Sequence, residues 1–464
     1  MSDAAGAVSG LTGRLAAHAS ALEVADLPLP VQEQGRRLFT DTVGVLLAAS
    51  QTAPLRLLAT TDAMFDDGGR STVIGHGRDY SLDRAAFVNG VAGHHIELDD
   101  SHSPSQTHPG SVLVPATLAV AERCGASGAD VLAGFVAGYD VIGRFCSAAR
   151  VQAIYDRGFH PTSVAGALGA AAAAGRVLRL DEQAMSYALG LAASQSSGLL
   201  TWEDDESHQA KSFQTGVAAR NGVHAALVAS AGYRGALDAL GGRYNAVAAF
   251  GGEQGDPSRL VLELGERFDI MVTELKRHAS CRQTHAAIDA VRLLIDETGI
   301  TADQIESMEI ELSTASTQWV GGNPLWTHNV EYVTSLAAYT GHVLPENFEA
   351  RWTEDPDIRS LKSRTTVRGN TEFDAAFPAA KGAIVRVHTA GGTEERRLPY
   401  PVGHPSNPLT DAQLRAKFDD LAASVLSPER STLLHQSLDR LEQLDSMTPV
   451  LDLLVPDPAY DERS

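Results

Sequence analysis

From Pro30 to about residue 270, apolar side chains return every three or four positions. Leu38, Phe39, Val43, Leu46 and Leu47 fall on one face of a helix, and similar stripes follow. Ser127 with Asp130 forms a capping-box start for a helix over Val131 to Arg144, and Asp181 caps another running through Ala184, Leu189 and Leu191. Alanine and glycine crowd between Ala165 and Ala174, where small side chains let helix axes approach closely. The pattern predicts a crowded helical bundle.

Between about 270 and 405 the period changes. Met308, Ile310 and Leu312 alternate with polar residues, and the run Ile384 to His388 is followed by Gly391-Gly392 and a second short run to Leu398, which predicts strands and a hairpin. Helical stripes at Ala286 to Ile295 and Tyr332 to Tyr339 lie in the same segment, so it reads as a small α+β unit. Thr410 with Gln413 then opens another helix along Leu414, Phe418, Leu421 and Val425, and a last one runs through Leu434, Leu438 and Leu441. The expected class is mainly α: a large all-helical domain (residues 1–268, rejoined by 406–464) and a smaller α+β domain (residues 269–405).

Composition removes several function classes. Against 58 acidic residues stand only 37 basic ones, a formal charge of −21, the wrong field for a nucleic-acid binder. Three cysteines, Cys124, Cys146 and Cys281, are too few and too scattered for a disulfide framework or a CxxC metal site, and point to a reducing cytoplasm. The first residues carry Asp3 and no apolar core, so no secretory signal is expected, and the uncharged stretch Gly158 to Gly175 is too rich in Ala, Gly and Ser for a membrane span. It reads as a buried helix.

The chain of 464 residues shows no GxGxxG after a strand, no Walker loop, no HExxH and no GxSxG, so no cofactor is expected. Four groups carry candidate chemistry. His94-His95-Ile96-Glu97-Leu98-Asp99-Asp100-Ser101-His102, followed by His108-Pro109-Gly110, has ligand-type side chains but a spacing that matches no metal template, and no metal is expected there. Gly158-Phe159-His160-Pro161 places His160 at a helix N-terminus, where it serves as a cap, a packing residue or an anion-facing imidazole of lowered pKa. Lys211 precedes Gly216 and follows the acidic run Glu203-Asp204-Asp205-Glu206, for which it is otherwise a surface partner. Lys276 to His285 holds Lys276, Arg277, His278, Arg282 and His285; so much positive charge in an acidic protein fits an anionic substrate.

Taken together, these groups make the sequence resemble the MmgE/PrpD family of 2-methylcitrate dehydratases and cis-aconitate decarboxylases. The matching residues are Leu98-Asp99-Asp100, Thr107-His108-Pro109-Gly110, Gly138-Tyr139-Asp140 with Arg144, Phe159-His160-Pro161-Thr162, Lys211 with Gly216 and Ala218-Ala219, and Cys281 with His285 leading into Ile288-Asp289-Ala290. Asn407-Pro408-Leu409-Thr410 with Lys417-Phe418 matches the family's returning helix. The resemblance implies a homodimer whose α+β domain acts as a lid. It also implies a cofactor-independent site for small di- or tricarboxylates in which His108, His160, Lys211, His285 and Tyr332 are catalytic. Glu97, Asp99, Ser101, Lys276 and Arg282 are the expected substrate-binding residues. His160 or His108 would be the general acid/base, Lys211 and His285 would grip carboxylates, and Tyr332 would donate a proton or hydrogen bond. One departure is Glu97-Leu98-Asp99-Asp100-Ser101, where family members commonly read Asp-Phe-Asp-Asp-Thr; it moves the acid by about one methylene, enough to alter which substrate sits productively.

Three functions follow as expectations. The first is a lyase that dehydrates or decarboxylates a small polycarboxylate. The second is an epimerase or isomerase that removes and returns a proton on an iminodisuccinate- or aconitate-like acid. The third is a non-catalytic helical dimer that binds an acidic metabolite.

Overall fold

The computed structural model describes residues 10–64, 68–204 and 209–456. Helices dominate. Pro161–Val177, the Ala-rich segment, is buried along its whole length, and the helices Gly128–Ala149, Gln209–Ser230 and Gly110–Cys124 pack around it. Gly128–Ala149 is long and apolar enough to cross a membrane, but 94% of its most apolar window is buried inside the protein.

Glycine sets two of these crossings. A Cβ on Gly138 would lie 3.0 Å from the carbonyl of Gly169, and one on Gly169 would lie 3.0 Å from that of Gly138, so the two helices touch backbone to backbone. A Cβ on Gly90 would stand 2.7 Å from the Cα of Gly216, which locks Leu82–His95 against Gln209–Ser230. That second crossing brings His94 and His95 toward Lys211.

The expected caps form. Ser127 accepts from the Asp130 N–H at 3.2 Å, Asp181 from that of Ala184 at 2.8 Å, and Thr410 and Gln413 close a reciprocal box. The helices Asp411–Ala422 and Pro428–Leu438 return onto Leu29–Ser50, and one hydrophobic core runs from Leu15 to Ala279 and again from Leu409 to Leu454. A second core, from Ala286 to Val387, belongs to the α+β segment.

That segment is built on a four-stranded sheet in the order Thr365–Gly369, Ser307–Leu312, Ala383–Thr389, Gly392–Leu398, the first pair parallel and the rest antiparallel. Met308, Ile310 and Leu312 face Ala287, Ala290 and Val291 of the helix His285–Thr298, while Glu311 on the other face binds Arg386 at 2.5 Å. The hairpin closes at the expected place, with Thr389 opposite Gly392. Thr365–Gly369 had no strand signature, because as an edge strand it buries only Thr365 and its alternation is invisible. The uniformly helical reading before residue 270 also needs correction: Ser71–Val73 pairs with Gly77–Tyr80, and Ser101–His102 with Thr273–Glu274. The latter ribbon ties the first candidate group to the fourth.

Candidate active site

After the helix Leu82–His95 the chain turns sharply through Glu97, whose φ of 55° lies in the left-handed region. The Asp100 carboxylate accepts from the Gly110 N–H at 3.0 Å and from the Tyr139 hydroxyl, holding the start of the helix Gly110–Cys124. Its main-chain carbonyl accepts from His108 Nδ1 at 2.6 Å. A proton therefore sits on Nδ1 of His108, and Nε2 keeps its lone pair.

His160 reaches the same state by another route. It occupies the N-cap position, with Pro161 opening the helix as expected. Its Nδ1 lies 3.2 Å from Gln214 Oε1, and the Gln214 amide nitrogen donates to the Leu199 carbonyl at 2.9 Å. That second bond orients the amide with its oxygen toward His160, so Nδ1 must be the donor. The His94 ring lies between the two, 4.6 Å from His108 and 5.9 Å from His160, and donates from Nδ1 to Asp99 at 2.6 Å.

Burial pushes His108 well below the usual imidazole pKa, against the pull of Asp99. His160 is pushed well down by burial, then by His94 and Lys211. Both rings therefore rest neutral. The lowered pKa expected for His160 is present, with burial as its largest cause.

The cations are lysines and an arginine. Lys211, in the first turn of Gln209–Ser230, pairs with Glu97 and sits 5.1 Å above the Trp202 ring. Lys276 approaches Glu97 from the other side at 3.0 Å and Asp99 at 3.5 Å. Burial alone would raise the Glu97 carboxyl, but the two ammonium groups outweigh it and hold it well below the usual carboxylate range. A second group forms where Arg282 binds Glu274 at 2.5 Å and Lys381 binds Glu274 at 3.4 Å and the Ser103 hydroxyl. Burial raises the Glu274 carboxyl, but Arg282 and Lys381 draw it down to about 2.

These groups surround one cleft. Of the expected residues, His108, His160, Lys211, Glu97, Ser101 and Arg282 line it, while Asp99 and Lys276 stand one layer behind. His285 does not reach it: its Nδ1 accepts from Arg282 at 3.0 Å and its Nε2 donates to the Ser280 carbonyl at 3.2 Å. It orients the arginine instead of gripping substrate. Tyr332 is also misplaced by the expectation, since it is fully buried with Ile288 and Leu336, and its hydroxyl donates to the Asn347 carbonyl at 2.6 Å. Tyr332→Phe should cost about 1–2 kcal/mol in urea unfolding, by stranding that carbonyl, and leave kcat/KM within about two-fold. A hundred-fold loss of kcat would return the tyrosine to the site.

Sequence reasoning missed Lys381, Trp202, Gln283 and His328, which also line the cleft, and undervalued His94 and Cys281. Lys381 stands alone among Ala379, Ala380 and Gly382 with no pattern around it. Trp202 follows the apolar pair Leu199-Leu200 and precedes the acidic run, of which Asp205 and Glu206 lie outside the described residues. Tyr155 and Trp319 meet edge-to-face at 5.3 Å on the cleft wall, one from each side of the fold.

His94, Asp99 and His108 offer three ligand-type atoms within 4.8 Å of one another. Both histidine Nδ1 atoms already donate, to Asp99 and to the Asp100 carbonyl, and the Lys276 ammonium stands 3.5 Å from Asp99. A cation there would displace a proton and meet an ammonium, so the donor set fits a hydrogen-bonded relay better than a metal centre.

Comparison with known proteins places the chain in a family. The MmgE/PrpD N-terminal domain matches residues 13–257 and the MmgE/PrpD C-terminal domain residues 278–442. The chain belongs to the MmgE/PrpD family. Among its relatives are the cis-aconitate decarboxylase-like protein oryM of Aspergillus oryzae, 27% identical over 96% of this chain and 97% of that protein, and the cis-aconitate decarboxylases of Aspergillus terreus (26%; 97% and 96%) and Homo sapiens (27%; 96% and 95%). The MmgE/PrpD C-terminal match extends past the sheet into the returning helices, which belong to the first core.

Proposed function

We propose that this protein is a lyase for a small tricarboxylate, and that it decarboxylates a cis-aconitate-like acid with its own side chains. One observation carries the reading: a single cleft gathers the cations Lys211, Arg282 and Lys381 around two neutral imidazoles whose Nδ1 protons are tied down. Four cations, counting Lys276, face only Glu97, Asp99 and Glu274 in a protein of charge −21, so this site favours an incoming polyanion. The decarboxylase relatives support the choice of acid.

The chemistry follows from the arrangement. Bound carboxylates raise the imidazole pKa, so one ring takes up a proton as substrate enters. Breaking the bond to one carboxylate releases carbon dioxide, and its electron pair becomes a new carbon–carbon double bond. The pair of the original double bond moves to the far carbon, which takes the proton from the imidazolium. Fixed cations stabilise the charge that builds on the remaining carboxylates, and acid/base transfer of this kind contributes about 10² to 10⁴ in rate.

Proton NMR in D₂O with citrate, 2-methylcitrate, cis- and trans-aconitate and iminodisuccinate tests the reading. The expected result is consumption of cis-aconitate with loss of carbon dioxide and one deuterium in the product. Exchange at a C–H with the skeleton intact would replace it by an epimerase or isomerase. Silence across the panel would mean that the family's substrates do not transfer to this protein.

A further inference from the structure

A second basic cleft, of about 270 Å³, lies where the α+β segment meets the returning helix. Arg277, His278, Arg292, His342 and Lys417 line it, against one acid, Asp420. Most of these have partners. Lys417 binds Asp41 at 2.7 Å, His342 faces Asn347 at 3.2 Å, and His278 binds Asp289 at 3.0 Å. Asp289 gives its other oxygen to the Val402 N–H at 2.9 Å, leaving Arg277 only a distant contact of 3.9 Å with it. Arg292 has no hydrogen-bond or ion-pair partner among the described residues. Burial first, and then Arg277 beside it, lowers the Arg292 pKa; the two guanidinium groups repel each other. Asp289, which acts on both arginines, is already committed to His278 and the Val402 N–H, and Asp296 reaches Arg292 only through its charge, so two half-buried guanidinium groups face the cleft with no close carboxylate between them, an arrangement that suits a multivalent anion.

The cleft shares its walls with the candidate active site. Lys417 donates to the carbonyl of Leu98 at 3.1 Å, between Glu97 and Asp99. Arg277 and His278 directly follow Lys276, which holds those same two carboxylates. Arg292 and His342 come from the α+β segment, and Gln413 and Lys417 from the returning helix, so an anion there joins the two parts of the fold.

We propose that this cleft is a second, regulatory site for a small multivalent anion, a phosphate or a polycarboxylate, clamped by Arg277 and Arg292 and transmitted to the active site through Lys276 and Lys417. The site itself stands on its own geometry, and only its effect on turnover rests on the lyase reading.

Isothermal titration with inorganic phosphate and, separately, with tricarballylate tests it on the full chain. Beside the catalytic site, wild-type protein should show one further site for phosphate or for tricarballylate; Lys211→Ala should keep it, and the double variant Arg277→Gln/Arg292→Gln should lose it and keep the catalytic one. Affinity for the anion that the cleft takes should fall roughly ten-fold or more in the double variant, the scale of losing one charge-assisted pair, and whichever of the two anions shows that fall is the one recognised. Arg292→Gln alone guards against misfolding, because it breaks no hydrogen bond or ion pair among the described residues and trades attraction to Asp289 and Asp296 against repulsion from Arg277; its melting temperature should change little. On turnover, that anion should shift the wild-type KM and leave that of Arg292→Gln unmoved, with basal kcat alike in both. Unchanged affinity of the double variant for both anions, or no site beyond the catalytic one for either anion, overturns the proposal. If no panel acid is turned over, the binding stoichiometry still decides it.

Discussion

Lys211→Met is expected to lower kcat/KM by about 10²–10³-fold while leaving a protein that folds less well. The side chain has two roles that one substitution separates from each other. Toward the cleft, its ammonium is one of three cations available to a substrate carboxylate. Toward the protein, it is half of the pair that lets Glu97 stay ionised while buried. Removing it leaves Glu97 with Lys276 alone, a loss of part of the about 3–5 kcal/mol that fully stranding a buried charge costs. Glu97→Gln in the Lys211→Met background should recover much of the lost stability in urea unfolding, since the under-compensated charge is then gone. It should not recover turnover, because the cleft still lacks its cation. Recovery of both together would mean that Lys211 acts only by holding Glu97 in place.

The same pair shows where sequence stops being readable. Lys211 and His160 stand out because each lies beside a local landmark, a helix start with Gly216 following or a proline at the first turn. The stripes, caps and hairpin were readable for a similar reason: a period of 3.6 or 2 and a capping residue are properties of a few consecutive positions. Lys276 and Lys381 have no such neighbourhood. Lys276 lay within a basic stretch that suggested substrate contact, yet it is fully buried, because its partners Glu97 and Asp99 are some 180 positions away; the bonds span 179 and 177 residues. Lys381 meets Ser103 across 278. Which cation faces the cleft and which stands behind it depends on the pairing of Ser101–His102 with Thr273–Glu274, a two-residue ribbon too short to leave an alternation. His285 and Tyr332 erred in the opposite direction. Each carries the right chemical group at a plausible place in the order of motifs, but a helix turns one toward Arg282 and the other into a core.

The neutral histidines lead to a pH dependence whose sign is opposite to that of a charged histidine site. In the unfolded chain a histidine titrates near 6.5. In the folded protein burial lowers that value for His108, His160 and His285, to about 4 for His95 and to about 3 for His102. Below pH 6.5 the unfolded chain takes up protons that the native state refuses, so stability falls as pH drops from 6.5 toward those lower values. Each such group contributes up to about 1.4 kcal/mol per pH unit. Three carboxyls act the other way. Burial raises Asp41, Asp100 well above its usual value, and Asp269 to about 6, so their contribution is present at low pH and is lost as pH rises through the folded value. Histidines outnumber them, and the urea midpoint should decline between pH 7 and 5. On the catalytic side, the proton donor must be a charged imidazole, so kcat/KM should fall as pH rises past the free protein's imidazole pKa, and that alkaline limb should lie below 6.5. A bound polycarboxylate brings negative charge to His108 and His160 and raises both. Tricarballylate binding at pH 6.5 should therefore draw protons from solution, seen as a binding enthalpy that varies with the ionisation enthalpy of the buffer. Proton release, or an alkaline kcat/KM limb at or above 6.5, would show that the imidazoles are already charged before the substrate enters.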